Sequence, residues 1–177
     1  MPSSPVKSIN LGLYIARLIH TNLTLANASA WQWWTAVSLN EDVPIQLLPL
    51  EGASGESVKY DGRIVPTKMF WATANYSFFI RPNMRRVDVR ALNQDITPLD
   101  AATSLMLSSY TDGSQLVTVI VNYADTDKNI SLKCDNARKG KMYVTSIDKD
   151  LQYIGEHRLT SLTVPSRSIV TVVIDEK

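Results

Sequence analysis

The sequence predicts a mainly β protein. An antiparallel β-sandwich over residues 83–177 is preceded, over residues 1–82, by the last strand and helices of an incomplete (β/α)8 barrel. Three observations predict it. From residue 84 onward, short apolar runs alternate with polar residues at a period of two, and turn signals separate them. Before residue 82, two stretches carry apolar residues at helical spacing. Between those stretches, Trp31, Trp33 and Trp34, three of the chain's four tryptophans, crowd into one short segment.

Taken in order, residues 8–21 predict a helix. Leu11, Ile15, Leu18 and Ile19 share one face at 3.6 residues per turn, Ser8 stands where an N-cap belongs, and Asn22 stands where the helix should stop. Residues 23–36 predict a strand with few breakers, apolar on both faces like a parallel strand buried under helices. Residues 39–63 predict a long loop, punctuated by Pro44, Pro49, Gly52, Gly55 and Gly62 and made acidic by Glu41, Asp42, Glu51, Glu56 and Asp61. Loops of this length in a compact domain usually carry function. A second helix follows Pro66, capped by Thr67 and running through Ile80, with Pro82 to end it. It is apolar around so much of its circumference that more than one neighbour must cover it. Beyond it, Arg86-Val87-Asp88-Val89-Arg90 alternates strictly. Segments 104–110, 115–123, 129–134, 141–148, 158–164 and 168–174 predict strands, separated at Asp112-Gly113, Asp125-Thr126-Asp127 and Lys139-Gly140. A whole (β/α)8 barrel takes about 250 residues, so the first 82 residues supply only its closing unit, as the C-terminal part of a larger enzyme would.

Composition narrows the function classes. The 177 residues carry 18 basic and 17 acidic side chains, a net charge of +1, and no basic run that would mark a nucleic-acid partner. The longest apolar stretch, Leu11 to Ile19, is interrupted by Arg17 and is too short to span a bilayer. Met1 to Lys7 lacks the pattern of a signal peptide. Cys134 has no second cysteine to pair with and reads as a small buried hydrophobe in a strand. Four Asn-x-Ser/Thr sequons, at Asn22, Asn27, Asn75 and Asn129, read as chance matches inside helix or strand. His20 and His157 are too far apart to suggest a metal site: His20 reads as packed on the first helix and His157 as solvated near a strand edge. No phosphate-cradling glycine motif and no cofactor is implied.

Three segments carry a resemblance to a known family. They are Asn27-Ala28-Ser29-Ala30-Trp31-Gln32-Trp33-Trp34; Thr67-Lys68-Met69-Phe70-Trp71 through Asn75-Tyr76-Ser77-Phe78-Phe79-Ile80-Arg81-Pro82 with Arg85-Arg86-Val87; and Leu116-Val117-Thr118-Val119-Ile120-Val121-Asn122-Tyr123. In this order they resemble the C-terminal region of glycoside hydrolase family 30, which includes glucosylceramidases, endo-β-1,6-galactanases and glucuronoxylanases. The first looks like the family's eighth barrel strand, the second like the last barrel helix and its entry into the sandwich, and the third like a sandwich strand ending in Asn. The resemblance implies a retaining glycosidase with two glutamates, at the ends of the fourth and seventh barrel strands. No segment here matches either site. Retaining chemistry needs two carboxyl groups about 5–5.5 Å apart.

The candidate site residues follow. Trp34 matches the family's tryptophan at the mouth of the last barrel strand, under the sugar, with Trp31 and Gln32 as further candidates for substrate contact and Trp33 packed outward. Glu41 and Asp42 stand just past that strand, at the end of the fold that would meet a substrate, where a carboxylate pair could do acid/base work, but adjacent residues on a flexible loop are poorly held and read as solvated. Tyr76 and Tyr123 read as packing residues, and no exposed aromatic cluster is expected in residues 84–177. Three functions are weighed. The first is a region of a β-glycoside hydrolase that is not catalytic alone. The second is a stand-alone carbohydrate-binding or protein-interaction module. The third is a hydrolase assembled around Glu41. The implied partner is a β-linked glycan. Self-association is expected through residues 8–36 and 67–80, because an orphaned βα unit leaves apolar faces uncovered. Secreted or periplasmic location rests on the resemblance alone.

Overall fold

The computed structural model describes residues 8–37, 45–52, 62–90, 97–134 and 137–176. Its elements, in chain order, are α1 (Ile9–Thr24), β1 (Leu50–Glu51), β2 (Arg63–Ile64), α2 (Lys68–Ser77), β3 (Arg85–Val87), α3 (Pro98–Thr103), β4 (Leu105–Thr111), β5 (Gln115–Asn122), β6 (Lys128–Ile130), β7 (Lys139–Thr145), β8 (Gln152–Arg158), β9 (Leu162–Val164) and β10 (Ser168–Asp175). The main sheet is six-stranded, in the order β3-β4-β5-β10-β7-β8, and every pairing in it is antiparallel. The two-stranded β6–β9 sheet faces it. The result is the mainly β, antiparallel sandwich that the period-two pattern predicts.

The alternation sorts the side chains into two cores. On one face of the main sheet, Val117, Val119, Val121, Ile169 and Val173 pack with Ile15, Ala16 and Ile19 of α1 and Met69, Ala72 and Tyr76 of α2. On the other, Ile120, Met142, Val144, Val170, Val172 and Ile174 pack with Leu159, Leu162 and Val164. β5 and β10 lie at the centre with helices above and the small sheet below, so nearly every residue of both is buried. Each fully buried Val or Ile contributes roughly 1.5–3 kcal/mol.

Both helices begin close to where the sequence places them. Ser8 stands at the N-cap of α1, but its side chain makes no cap hydrogen bond. Thr67 caps α2 by accepting from Phe70 N–H at 3.2 Å. The helices cross closely enough that a Cβ on Gly12 would lie 2.8 Å from the Lys68 carbonyl oxygen. A buried polar cluster then ties α2 to the sheet. Asn75 Nδ2 donates to Thr145 Oγ1 at 2.6 Å, and Thr171 Oγ1 donates to the Asn75 backbone carbonyl at 2.8 Å. All three residues are fully buried, so every polar group must find a partner inside the fold. That burial removes Asn75 as a sugar acceptor.

Several predicted elements differ. Residues 25–37 form no strand: α1 continues to Thr24, and the segment after it has no ladder partner among the described residues. The predicted loop 39–63 contains a short antiparallel ribbon, Leu50 with Ile64 and Glu51 with Arg63. Lys139 and Gly140 are not a turn but the start of β7, where a Cβ on Gly140 would meet Val172 Cγ1 at 2.6 Å. There the missing side chain serves packing rather than backbone freedom. Of the predicted strand 158–164, only Leu162–Val164 forms a strand of its own, β9; Arg158 is the last residue of β8, and a turn separates the two. β8 itself and α3 have no counterpart in the sequence reading. Cys134 lies after β6 rather than within a strand, and is half-buried against the second core.

Candidate functional site

The tryptophan segment is delivered by the end of α1. Ala26 N–H still bonds back to the Thr21 carbonyl at 3.1 Å, and Asn27 then takes a left-handed backbone, φ 54°, a conformation that Asn tolerates better than most residues. Arg86 donates to Asn27 Oδ1 at 3.3 Å, holding that corner against β3. From Trp31 to Ala36 the exposure alternates as in extended chain: Trp31, Trp33 and Thr35 are half-buried, whereas Gln32, Trp34 and Ala36 are exposed. Trp31 and Trp33 stack on each other, centroids 5.8 Å apart and planes 14° from parallel, and both pack against the helix-side core. Trp33 Nε1 donates to the Ile45 carbonyl at 2.9 Å. Thr35 and Ala36 accept backbone bonds from Leu47 and Leu48, and Leu47 in turn accepts from Thr67 N–H. Three passes of chain are thereby fastened together beside α2.

Trp34 stands apart from this packing. It is 85% exposed, and the Trp34–Thr35 peptide is cis. The structure therefore divides the three candidates. Trp34 and Gln32 share the open side, while Trp31 belongs with Trp33 on the packed side. Glu41 and Asp42 lie outside the described residues.

The remaining sequence candidates fall as follows. Tyr76 is buried, with its hydroxyl donating to the Ala16 carbonyl at 3.3 Å, and burial raises its hydroxyl pKa well above 10. Tyr123 has an arginine over its ring on two counts, Arg17 at 4.8 Å and Arg167 at 4.9 Å, so its faces serve cation–π packing. His157 lies within β8, half-buried, with Nε2 3.2 Å from the Ile154 carbonyl oxygen, rather than solvated. His20 is half-buried on α1. Desolvation, reinforced by the nearby Arg86 charge, lowers its pKa to about 4, so the ring is neutral at pH 7.

A cleft of about 630 Å³ opens between the C-terminal part of α1, β3, α3 and β4, with His20, Arg86, Leu99, Met106 and Ser108 in its lining. Trp34 is not part of it. Among the described residues, no group of three or more His, Cys, Asp or Glu side chains is placed to hold a metal ion, and no helix is long and apolar enough to cross a membrane.

Comparison with known proteins agrees with this architecture. The model of O-glycosyl hydrolase family 30 matches residues 4–43, the stretch that contains α1 and the tryptophan segment. Among solved structures, a conserved exported protein from Bacteroides fragilis is 57% identical over 98% of this chain, with a TM-score of 0.89. A family 30 endoxylanase from Clostridium papyrosolvens is 19% identical over 96% of the chain, TM-score 0.68. The catalytic domain of family 30 xylanase C from Talaromyces cellulolyticus is 23% identical over 92%, also at 0.68. The two xylanases share the fold. The chain spans only 35%, 39% and 34% of these three structures. By family model and by fold, the chain is related to glycoside hydrolase family 30 and is similar to the C-terminal region of that family.

Proposed function

We propose that this chain is the C-terminal region of a retaining β-glycoside hydrolase, composed of the closing unit of a (β/α)8 barrel and a structural β-sandwich. In this reading it supplies an aromatic sugar platform and is not catalytic alone. The observation that carries the proposal is Trp34. A tryptophan left 85% exposed beside two packed ones offers a flat apolar face, and such faces are used where a flat ligand must be presented or held. Gln32, exposed on the same side, supplies amide hydrogen bonds to hydroxyls. Trp31 acts one step back, by holding Trp33 and so the path of the segment. The two carboxylates that a retaining mechanism requires match no segment of this sequence, and the reading assigns them to the rest of the barrel. In this reading exposed Tyr14, on α1, belongs to the surface that a complete barrel would cover. The isolated chain is therefore expected to self-associate through residues 8–36 and 67–80. Location outside the cytoplasm accords with the exported Bacteroides relative.

The test is release of a chromogenic aryl sugar by the purified chain across β-glucoside, β-xyloside, β-galactoside and β-fucoside, alongside a Glu41→Gln/Asp42→Asn variant. No release from any of them is expected. Release that disappears in the variant would overturn the reading and give the active site to the 39–63 loop. Sedimentation of the chain as a strict monomer across concentrations would remove the self-association.

A further inference from the structure

A second aromatic surface lies at the β7–β8 margin, on the helix-facing side of the main sheet. Phe79, just past the end of α2, is almost fully buried and anchors it. The Tyr143 ring lies 4.6 Å from the Phe79 ring, tilted by 49°, and the Tyr153 ring lies 5.2 Å from Tyr143, tilted by 43°. Phe78 meets Phe79 edge-on at 5.1 Å. The outer members are open: Phe78 is 67% exposed and Tyr153 is 51% exposed. Tyr143 and Tyr153 are register partners, and β8 is the edge strand, paired on one side only. This is the exposed aromatic cluster that the sequence of residues 84–177 does not reveal. Tyr143 and Tyr153 are ten residues apart and come together only through that pairing.

The surface has the properties of a built site for a flat, uncharged, hydroxyl-rich ligand. Phe79 backs Phe78 and Tyr143 backs Tyr153, which lessens the side-chain freedom lost on binding. Aromatic faces carry partial negative charge and attract the weakly positive C–H groups of a ring laid over them. The border is polar. Lys141, two residues before Tyr143 on the same side of β7, pairs with Asp175 at 3.2 Å, and Glu156 is its register partner on β8. These groups donate to and accept from hydroxyls. At this β7–β8 corner one cation stands against two carboxylates, a local excess of negative charge that disfavours acidic polymers there.

We propose that Phe78, Tyr143 and Tyr153 form a second glycan-binding surface that takes an uncharged β-linked polysaccharide, its sugar rings lying over the Tyr153 and Phe78 faces. The site shares no residue with the Trp34 platform and stands or falls separately from it.

Affinity electrophoresis of the full 177-residue chain tests this, in gels containing mixed-linkage β-glucan, neutral arabinoxylan or, as the acidic comparison, polygalacturonate. Retardation is expected in a neutral gel and not in polygalacturonate. A Phe78→Ala/Tyr153→Ala variant is expected to bind about tenfold more weakly, matching the loss of one or two ring contacts. Tyr153→Trp keeps the flat face and is expected to keep the retardation. Free migration of the unaltered chain in every neutral gel would overturn the proposal, and so would retardation that survives the double substitution in a Trp34→Ala background. Loss of retardation in Trp34→Ala alone would assign all glycan binding to the first platform. Self-association abolished by Phe78→Ala/Tyr153→Ala would give this surface to a second copy of the chain, and equally overturn it.

Discussion

Strands β5 and β10 and the tryptophan segment are all rich in apolar residues, yet the fold treats them in opposite ways. β5 and β10 are paired on both edges and covered on both faces, and almost nothing of them reaches solvent. Among the described residues, the tryptophan segment is held by scattered bonds, at Asn27, at Thr35 and Ala36 and through the Trp33 indole, and it leaves Trp34 open. Apolar content alone does not bury a segment. A strand is buried when its backbone groups find ladder partners and both of its faces find layers. Among the described residues, the main sheet has both, and the tryptophan segment has no ladder partner.

The largest expected effect lies in the sheet. Ile120 is fully buried at the heart of the second core, and Ile120→Ala is expected to cost about 2–5 kcal/mol in a urea or thermal melt. A loss under about 1 kcal/mol, well below that range, would mean that the small β6–β9 sheet does not seal this face, and the contrast with the tryptophan segment would collapse. Gly12→Ala should come next. The new methyl would meet the Lys68 carbonyl, which is backbone and cannot swing away. Prising α1 from α2 is expected to cost about 1–3 kcal/mol, against the gain of up to about 1 kcal/mol that alanine normally brings to a helix. Stabilisation by Gly12→Ala would show that the helix pair is loosely held.

His20 gives a smaller, pH-dependent effect. Its folded pKa, about 4, lies below the ordinary 6.5, so the unfolded chain binds this proton more readily than the folded one. The contribution of the neutral ring is complete above pH 6.5 and is lost as pH falls from 6.5 towards 4. Partial exposure keeps that contribution on the order of 1–2 kcal/mol. In melts from pH 7 to 4.5, His20→Gln should flatten the decline by that amount. An unchanged pH profile would show that the ring is solvated, and that α1 does not close over β4 there.

How much of this was legible in the sequence follows the same division. The β5 and β10 runs are visible because each is a short stretch rich in β-branched apolar residues, Leu116 to Val121 and Ile169 to Ile174, and because the Asp112-Gly113 turn captures its own backbone, Asp112 Oδ1 accepting from Ser114 and Gln115 N–H at 2.9 and 3.0 Å. Thr67 is legible as a cap for the same local reason. β8 is not, since Gly155 and the register shift opposite Met142 and Tyr143 interrupt its alternation. Gly140 misleads, because a glycine needed for close packing and one needed for a turn look alike in sequence. Trp34 is identifiable as a candidate from the crowding of tryptophans. Its separation from Trp31 is set by which side of the segment meets α1 and α2, and that needs the fold. The Phe78–Tyr143–Tyr153 surface depends wholly on strand register.

The smallest expected effect bears directly on the site. Trp34→Ala should change stability by no more than about 0.5 kcal/mol, as substitutions of exposed side chains usually do. Trp33→Ala removes a stacked ring and a hydrogen bond to the Ile45 carbonyl. It should cost on the order of 1–3 kcal/mol, since a half-buried ring loses less than a core one. Paired melts of the two variants therefore ask which tryptophan the fold uses and which it leaves over. Equal destabilisation by both would make Trp34 a packing residue and remove the basis for a sugar platform. A neutral Trp34→Ala beside a costly Trp33→Ala would leave a large aromatic face that stability does not require, and that is the condition under which selection for ligand contact is the remaining physical reason to keep it.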